Sequence, residues 1–399
     1  MKTLILAIVL TAFIAVAYGF GVYLFSTVVL EMKRELSFGY DTVGIMAGVA
    51  QVGFLLCAFT GSLVSPIVGG ARLALLSVSV CAVCLIGLGF VTNAWQAGVL
   101  LAILGGCAAL VYVPLAEIVT RHAPSASSSK LLTFISSGTS YGVFANGMIV
   151  PLVVSGAGWR QVWLVTGGAT MILALCSYFA FTHYQLLSDG KSTPKIDGGC
   201  SRYGVRWITP TVVKIWAISF LTGLTLLPFQ TYLTPIIRDE LNYPIATAGK
   251  IWASMGLFGM GSGFVVGALA HWIGIRSTLI WTLLSATAAA ALIWTHVVLW
   301  NLYLSAALFG ISFYPLLGLV AAYLSKFVQR ENLTKTFGIA NVLVGIGGVV
   351  GNFLGGLMQS IFGTFVINYA SIAVLLLIAS IVALFLRDDR HARLSRAYA

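Results

Sequence analysis

Twelve stretches of this chain, each about twenty residues or longer and almost free of charge, limit what it can fold into. A helix needs ~20 apolar residues to cross the hydrocarbon core of a bilayer. Runs of that kind fall at roughly 4–30, 43–65, 73–91, 97–120, 131–154, 160–183, 210–236, 247–270, 277–297, 301–324, 336–359 and 364–386. They are continuously apolar rather than alternating, so they read as helices and not as barrel strands. Charged residues are 8% of the chain and hydrophobic ones 59%, against about 25% charged in a globular domain. So little charge cannot cover a surface that faces water. A soluble enzyme, a nucleic-acid binder and a secreted disulfide scaffold are excluded.

The net charge of +11 becomes informative once the cations are sorted by side. With the N-terminus inside, every lysine and arginine except Lys33, Arg34, Arg160, Arg238 and Lys250 falls on the cytoplasmic side. The positive-inside rule then places both termini in the cytoplasm. Lys2, the first apolar run and Ala15-Val16-Ala17 have the form of a signal peptide with a small-residue cleavage site. The internal repeat requires this segment as a helix, and it is read as the first span.

That repeat has an offset of about 205 residues. Arg34-Glu35-Leu36 and Gly44 match Asp239-Glu240-Leu241 and Gly249; Gly61 matches Gly267; Gly142 and Asn146 match Gly348 and Asn352; Arg72 matches Arg276. The expected fold is an all-α membrane protein with twelve transmembrane helices in two pseudo-symmetric six-helix bundles. Residues 1–183 form the first bundle, 184–209 a flexible cytoplasmic linker rich in Gly, Ser and Lys, and 210–399 the second bundle with a short basic tail. Repeated halves are the sequence form of alternating-access transporters, whose substrate site lies near the midplane between them.

In these features the chain resembles the major facilitator superfamily. That family's loop pattern G-x-L-A-D-R-x-G-R-K corresponds here to GSLVSPIVGGAR from Gly61 and GALAHWIGIR from Gly267. Ser65 and His271 stand at the Asp position, and Leu101 and Ala102 occupy the neighbourhood of the family's span-4 Arg. Gly158-Trp159-Arg160 keeps a family signature. The resemblance covers essentially the whole chain, and Lys130 to Trp163 is closest to monocarboxylate, oxalate/formate and related bacterial branches. It implies that the Asp–Arg latch of the inward gate is lost or moved to a pair such as Glu117 and Arg121, one helical turn apart.

Charge within a span suggests function. Glu117 is the one acid placed inside a span, and it is read either as the partner of Arg121 or as a proton-coupling carboxylate. Asp41 is read as a helix N-cap, Lys250 as a snorkelling interfacial cation, and Arg160 as a loop cap. Gly61, Arg72, Arg121, Arg160, Gly267 and Arg276 form the gating and structural set. The histidines (122, 183, 271, 296 and 391) lack metal-ligand spacing. Cys81 and Cys84 read as small buried thiols, and no disulfide framework is implied.

A cavity this poor in charge must use phenols, amides and hydroxyls. By analogy with the family, spans 1, 4, 7 and 10 line it, helped by 2, 5, 8 and 11. Those spans offer Tyr18, Gln51, Tyr112, Tyr141, Asn146, Thr225, Tyr314 and Asn352 near mid-depth, with Gln230 further out. Asn146 and Asn352, being repeat-related, are expected to face one another across the pseudo-symmetry axis. Span 5 departs from the family's antiporter pattern, with Val143 at its Pro and Asn146 at a Gly.

The expected function is secondary active transport of a small organic solute across the inner (plasma) membrane. Proton-coupled uptake, with a monocarboxylate or similar metabolite as substrate, stands beside proton-antiport export of drugs or metabolites. An intramembrane enzyme would need a nucleophile–base pair, a carboxylate dyad or metal ligands within the spans, and an ATP-driven pump would need a phosphate loop. The sequence carries neither set. The expected partners are the solute, a coupling proton and the lipid bilayer, with no cofactor, metal or nucleic acid, and the chain is expected to act as a monomer.

Overall fold

In lipid every backbone polar group must be satisfied within the protein, and the chain does this with helices. The structure, a computed structural model, describes residues 2–122, 128–186, 208–295 and 298–388. The linker from 187 to 207, the tail from 389 and His296 lie outside the described residues. Among the described residues, twelve helices are long and apolar enough to cross a membrane: α1 (Thr3–Leu36), α2 (Tyr40–Val68), α3 (Gly70–Leu88), α4 (Ala94–Val119), α5 (Leu131–Ala157), α6 (Trp159–His183), α7 (Pro210–Thr231), α8 (Ile245–Ile273), α9 (Ile275–Thr295), α10 (Leu299–Phe327), α11 (Asn332–Phe362) and α12 (Val366–Leu384). The face on which α1 begins, expected to be cytoplasmic, is called inner below. The opposite face is outer.

Helix ends follow local chemistry. Asn93 caps α4, its Oδ1 accepting the Gln96 N–H at 2.9 Å, and Thr209 caps α7 in the same way. At α2 the N-cap is Gly39, and Asp41 sits in the first turn rather than at the cap. There its charge still complements the positive end of the helix dipole.

The repeat is written into the backbone. Ser37 and Asn242 have φ of 54° and 57°, Gly69 and Gly274 have 95° and 89°, and Gly158 and Gly363 have 83° and 70°. Each pair is 205 residues apart. A positive φ is costly for most side chains, so three coincidences at one offset mark two copies of one chain path. Packing repeats as well: α1 lies on α5 as α7 does on α11, α2 on α4 as α8 on α10, and α3 on α6 as α9 on α12. These contacts make two six-helix bundles.

The bundles meet along two seams, α5 against α8 and α2 against α11. Glycine sets how close the helices come. A Cβ on Gly249 would collide with Pro151, and one on Gly256 would stand 2.5 Å from the Phe144 amide nitrogen. Further inward the same seam loosens: Gly263 has 3.4 Å of room and Gly267 faces open space. The other seam behaves alike, tight at Gly44 and Gly345 and open at Gly338. The halves are therefore pressed together toward the outer face and parted toward the inner one.

Candidate functional site between the two halves

In the centre of the membrane, Tyr18 of α1 meets Tyr112 of α4 edge-on with ring centres 6.1 Å apart, and Phe54 of α2 at 6.2 Å. Tyr112 keeps 46% of its surface open. Tyr314 of α10 fits against Gly259 of α8, where a Cβ would overlap its ring and come within 2.8 Å of Ser140 Oγ from α5. The hydroxyls of Tyr314 and Ser140 are buried and have no hydrogen-bond partner among the described residues. Gln51 lies in the α2–α11 seam beside Gly348. Gln230 is 1% exposed, and among the described residues neither of its amide atoms is paired. Tyr141 and Phe134 line an apolar groove of about 250 Å³ against Ile8, Thr11, Ala12 and Ala15 of α1.

Two expectations fail here. Asn146 and Asn352 do not face each other. Asn146 donates its amide to Gly19 O at 2.6 Å beside the α5–α8 seam. Asn352 lies in the α2–α11 seam, its main-chain carbonyl accepting from Tyr232 Oη at 2.6 Å. The pseudo-twofold axis exchanges one seam for the other, so repeat-related residues in the seams end on opposite sides of it. Thr225 is fully buried and its hydroxyl proton is committed to Leu221 O at 2.7 Å, the usual refuge of a buried helical threonine, so it has no donor left for a solute.

The outer face carries a charged group that sequence reasoning missed. Helix α1 runs to Leu36 rather than ending near residue 30, which brings Glu31 and Glu35 inside it. Glu117 is therefore not the one acid in a span. Glu31 pairs with Arg238, each side chain 15% exposed. Asp239 takes Arg34 at 2.9 Å and Lys33 at 3.5 Å and accepts a hydrogen bond from Tyr40 Oη. Burial alone would raise the Asp239 carboxyl; the hydrogen bonds from Tyr40 and Arg34 and the Lys33 charge outweigh it and hold the group below its usual range. All these contacts cross from one half to the other. Arg34 and Asp239 are themselves repeat-equivalent, so they meet near the pseudo-symmetry axis. The available signal was the sign reversal between Arg34-Glu35 and Asp239-Glu240.

The neighbouring acids work within each half. Glu35 accepts from Trp159 Nε1 at 2.6 Å and pairs with Arg160 at 2.9 Å. Glu240, its repeat mate, accepts the Phe365 N–H at 2.8 Å. Arg160 also donates to Gly89 O and Val91 O at 3.1 and 2.8 Å, the loop-capping role expected of it.

At the inner face Glu117 pairs with Arg121 at 2.8 Å and accepts from Ser65 Oγ at 3.2 Å. Ser65, at the loop position where the acid is missing, is thus tied to the acid of α4. Arg276 pairs with Asp388 at 3.9 Å and donates to Leu384 O, holding the end of α12. Arg72 is exposed at the start of α3. Gly61 is a close-packing site, 2.7 Å from Leu110 Cδ2 for an added Cβ, whereas nothing near Gly267 requires a glycine. Among the described residues no group of three His, Cys, Asp or Glu side chains could hold a metal ion.

Comparison with known proteins agrees with this geometry. The family model of the Major Facilitator Superfamily matches residues 11–316. A multi-drug resistance efflux pump of Streptococcus pneumoniae is 24% identical over 357 residues, 85% of each chain. Among solved structures, a bacterial homologue of the human lysosomal transporter Spinster, in an inward-facing and occupied conformation, superposes with a TM-score of 0.72 at 14% identity over 96% of each chain. A nucleoside transporter superposes with a TM-score of 0.75 at 12% identity, over 96% of this chain and 99% of that one.

Proposed function

The chain belongs to the Major Facilitator Superfamily, and from that premise we propose that it moves a small organic solute across the inner (plasma) membrane by alternating access, coupled to protons. Residues 1–183 and 210–399 are the moving halves and 184–209 the joint, with both termini cytoplasmic. The observation that carries the reading is the asymmetry of closure: ion pairs between the halves lock the outer face, while the seams part toward the inner one. That is one of the two states an alternating-access carrier must visit. Tyr18, Gln51, Tyr112, Gln230 and Tyr314 are proposed as solute contacts, and Glu117 with Arg121 and Ser65 as the inner clasp.

Export is the direction supported by the relative described as a multi-drug resistance efflux pump. Uptake is the second reading, favoured by α5, where Val143 is fully buried and Asn146 is engaged with α1 instead of forming the antiporter pattern. Proteoliposomes loaded with neutral, anionic or cationic solutes, with and without a pH gradient, decide both points. Exchange of at least one solute is expected, with solute movement outward from the cytoplasmic side driving protons inward. No exchange of any solute would end the transport reading. Accumulation with the proton gradient would replace export by uptake, and Glu117→Gln that abolishes coupling while sparing exchange would make Glu117 the proton carrier.

A further inference from the structure

Helices α1, α4 and α10 have no charged residue between Thr3 and Leu30, Ala94 and Ala116, or Leu299 and Ser325, yet together they hold four tyrosines that approach one another. Tyr112 and Tyr18 touch edge-on. The ring of Tyr23 meets Phe313 across the seam at 6.3 Å, and Phe313 meets Tyr314 edge-on at 5.2 Å. The belt thus runs from α4 through α1 into α10, from one half to the other.

Its spacing depends on a local irregularity. Tyr18 and Tyr23 are five residues apart and would diverge on an α-helix. Residues Ala15–Tyr23 form a π-helix, whose i→i+5 bonding brings positions five apart back toward the same side. At the far end Gly259 leaves room for the Tyr314 ring beside Ser140. Ser140 is fully buried, and among the described residues its hydroxyl and that of Tyr314 lack partners. A buried polar group without a partner costs about 1–3 kcal/mol, so these two are poised for a ligand that comes and goes.

We propose that the solute is an uncharged molecule with an aromatic or similarly flat apolar body and at least one hydrogen-bond acceptor, recognised by the phenols of Tyr18, Tyr23, Tyr112 and Tyr314 with Ser140. The proposal rests on the transport reading above and narrows its substrate. The rings supply flat apolar surface and edge-to-face partners. The hydroxyls bear no charge at neutral pH and each has one proton to donate, so an acceptor oxygen or nitrogen on the solute satisfies the donors left unpartnered on Tyr314 and Ser140. A carboxylate would have to leave water with no opposite charge to meet it, and a quaternary amine would meet only ring faces, worth about 2 kcal/mol when desolvated against several kcal/mol for taking an ion out of water. This makes a monocarboxylate a poor fit.

The test is equilibrium binding to the purified full-length protein of four matched probes: acetylnaphthalene, ethylnaphthalene, naphthoate and naphthyltrimethylammonium. Acetylnaphthalene is expected to bind saturably and most tightly. Tyr23→Phe and Tyr314→Phe should each weaken it about 3- to 10-fold, the worth of one neutral hydrogen bond, and leave ethylnaphthalene unchanged. Tyr178→Phe, at an exposed position on α6, controls for folding and should change neither. Equal or tighter binding of either charged probe, no saturable binding of any probe, or no effect of the two Phe variants would overturn the proposal. Saturable binding without counterflow of any solute would leave it standing and remove the transport reading. Counterflow of a charged solute alone would do the reverse.

Discussion

The outer and inner faces are built from the same repeated sequence and close in different ways. At the outer face Glu31, Lys33, Arg34 and Tyr40 of one half meet Arg238 and Asp239 of the other. At the inner face the ion pairs described above, Glu117 with Arg121 and Arg276 with Asp388, each stay within one half. The glycine contacts follow the same gradient, from collision distance near Gly249 to open space at Gly267. Two copies of one helix pattern can thus form a molecule whose ion pairs between the halves, among the described residues, lie at the outer face, where the seams are also tightest. Opposite charge at repeat-equivalent positions beside the axis is enough to do it.

Breaking the lock should have the largest effect. Glu31 and Arg238 are mostly withdrawn from solvent, and removing one member leaves the other charge half-buried. Arg238→Ala is expected to shift the balance toward an open outer face by about 2 kcal/mol, roughly 30-fold, read as labelling of an outer-seam cysteine. The exchange Glu31→Arg with Arg238→Glu should recover much of it. If the exchange is no better than the single change, the pair is not the lock.

Asp239→Asn comes next, at about 1 kcal/mol, since its partners Lys33 and Arg34 are partly solvated. Its pH dependence has a definite sign. The closed form holds the Asp239 carboxyl below its usual range, so the stabilisation is complete above the ordinary carboxylate pKa of about 4. It is lost only as pH falls through the lower, closed-state value. Outer-face labelling by this route should stay flat from neutral to mildly acid pH and rise in stronger acid. A rise near neutrality that Asp239→Asn removes would contradict this account.

Glu117→Gln should have the smallest effect, a few tenths of a kcal/mol on the conformational balance, because the pair is an i,i+4 contact on one helix with both side chains about a third exposed. A shift as large as that of Arg238→Ala would contradict this ranking.

The parts legible in the sequence are those enforced locally by lipid. Twelve spans could be read because a crossing helix must be apolar for ~20 residues, and the repeat could be read because Gly44, Gly61, Gly142 and their mates occupy matching places. Glu31 was hidden because α1 stays helical beyond its apolar run, carrying Glu31-Met32-Lys33-Arg34-Glu35 into the outer contact. Such charges look like a loop until the other half supplies partners about 205 residues away. Asn146 and Asn352 misled for a related reason: repeat matching gives equivalence, and only packing says on which side of the axis each residue falls. Ser140 and Tyr23 carried no signal of their own, because an ordinary helical serine and a tyrosine outside α-helical register become informative only beside Gly259, Tyr314 and the π-helical turn.

Reciprocal motion of the two faces is the central claim, and spin-label distances test it most directly. Asp41→Cys with Lys250→Cys reports on the outer face, and Ser62→Cys with Gly267→Cys on the inner one, all exposed, in a background with Cys57, Cys176 and Cys200 replaced by serine. Arg238→Ala is predicted to lengthen the outer distance and shorten the inner one together. Lengthening at the outer face with no change at the inner face, or no change at either, would contradict alternating access through this lock.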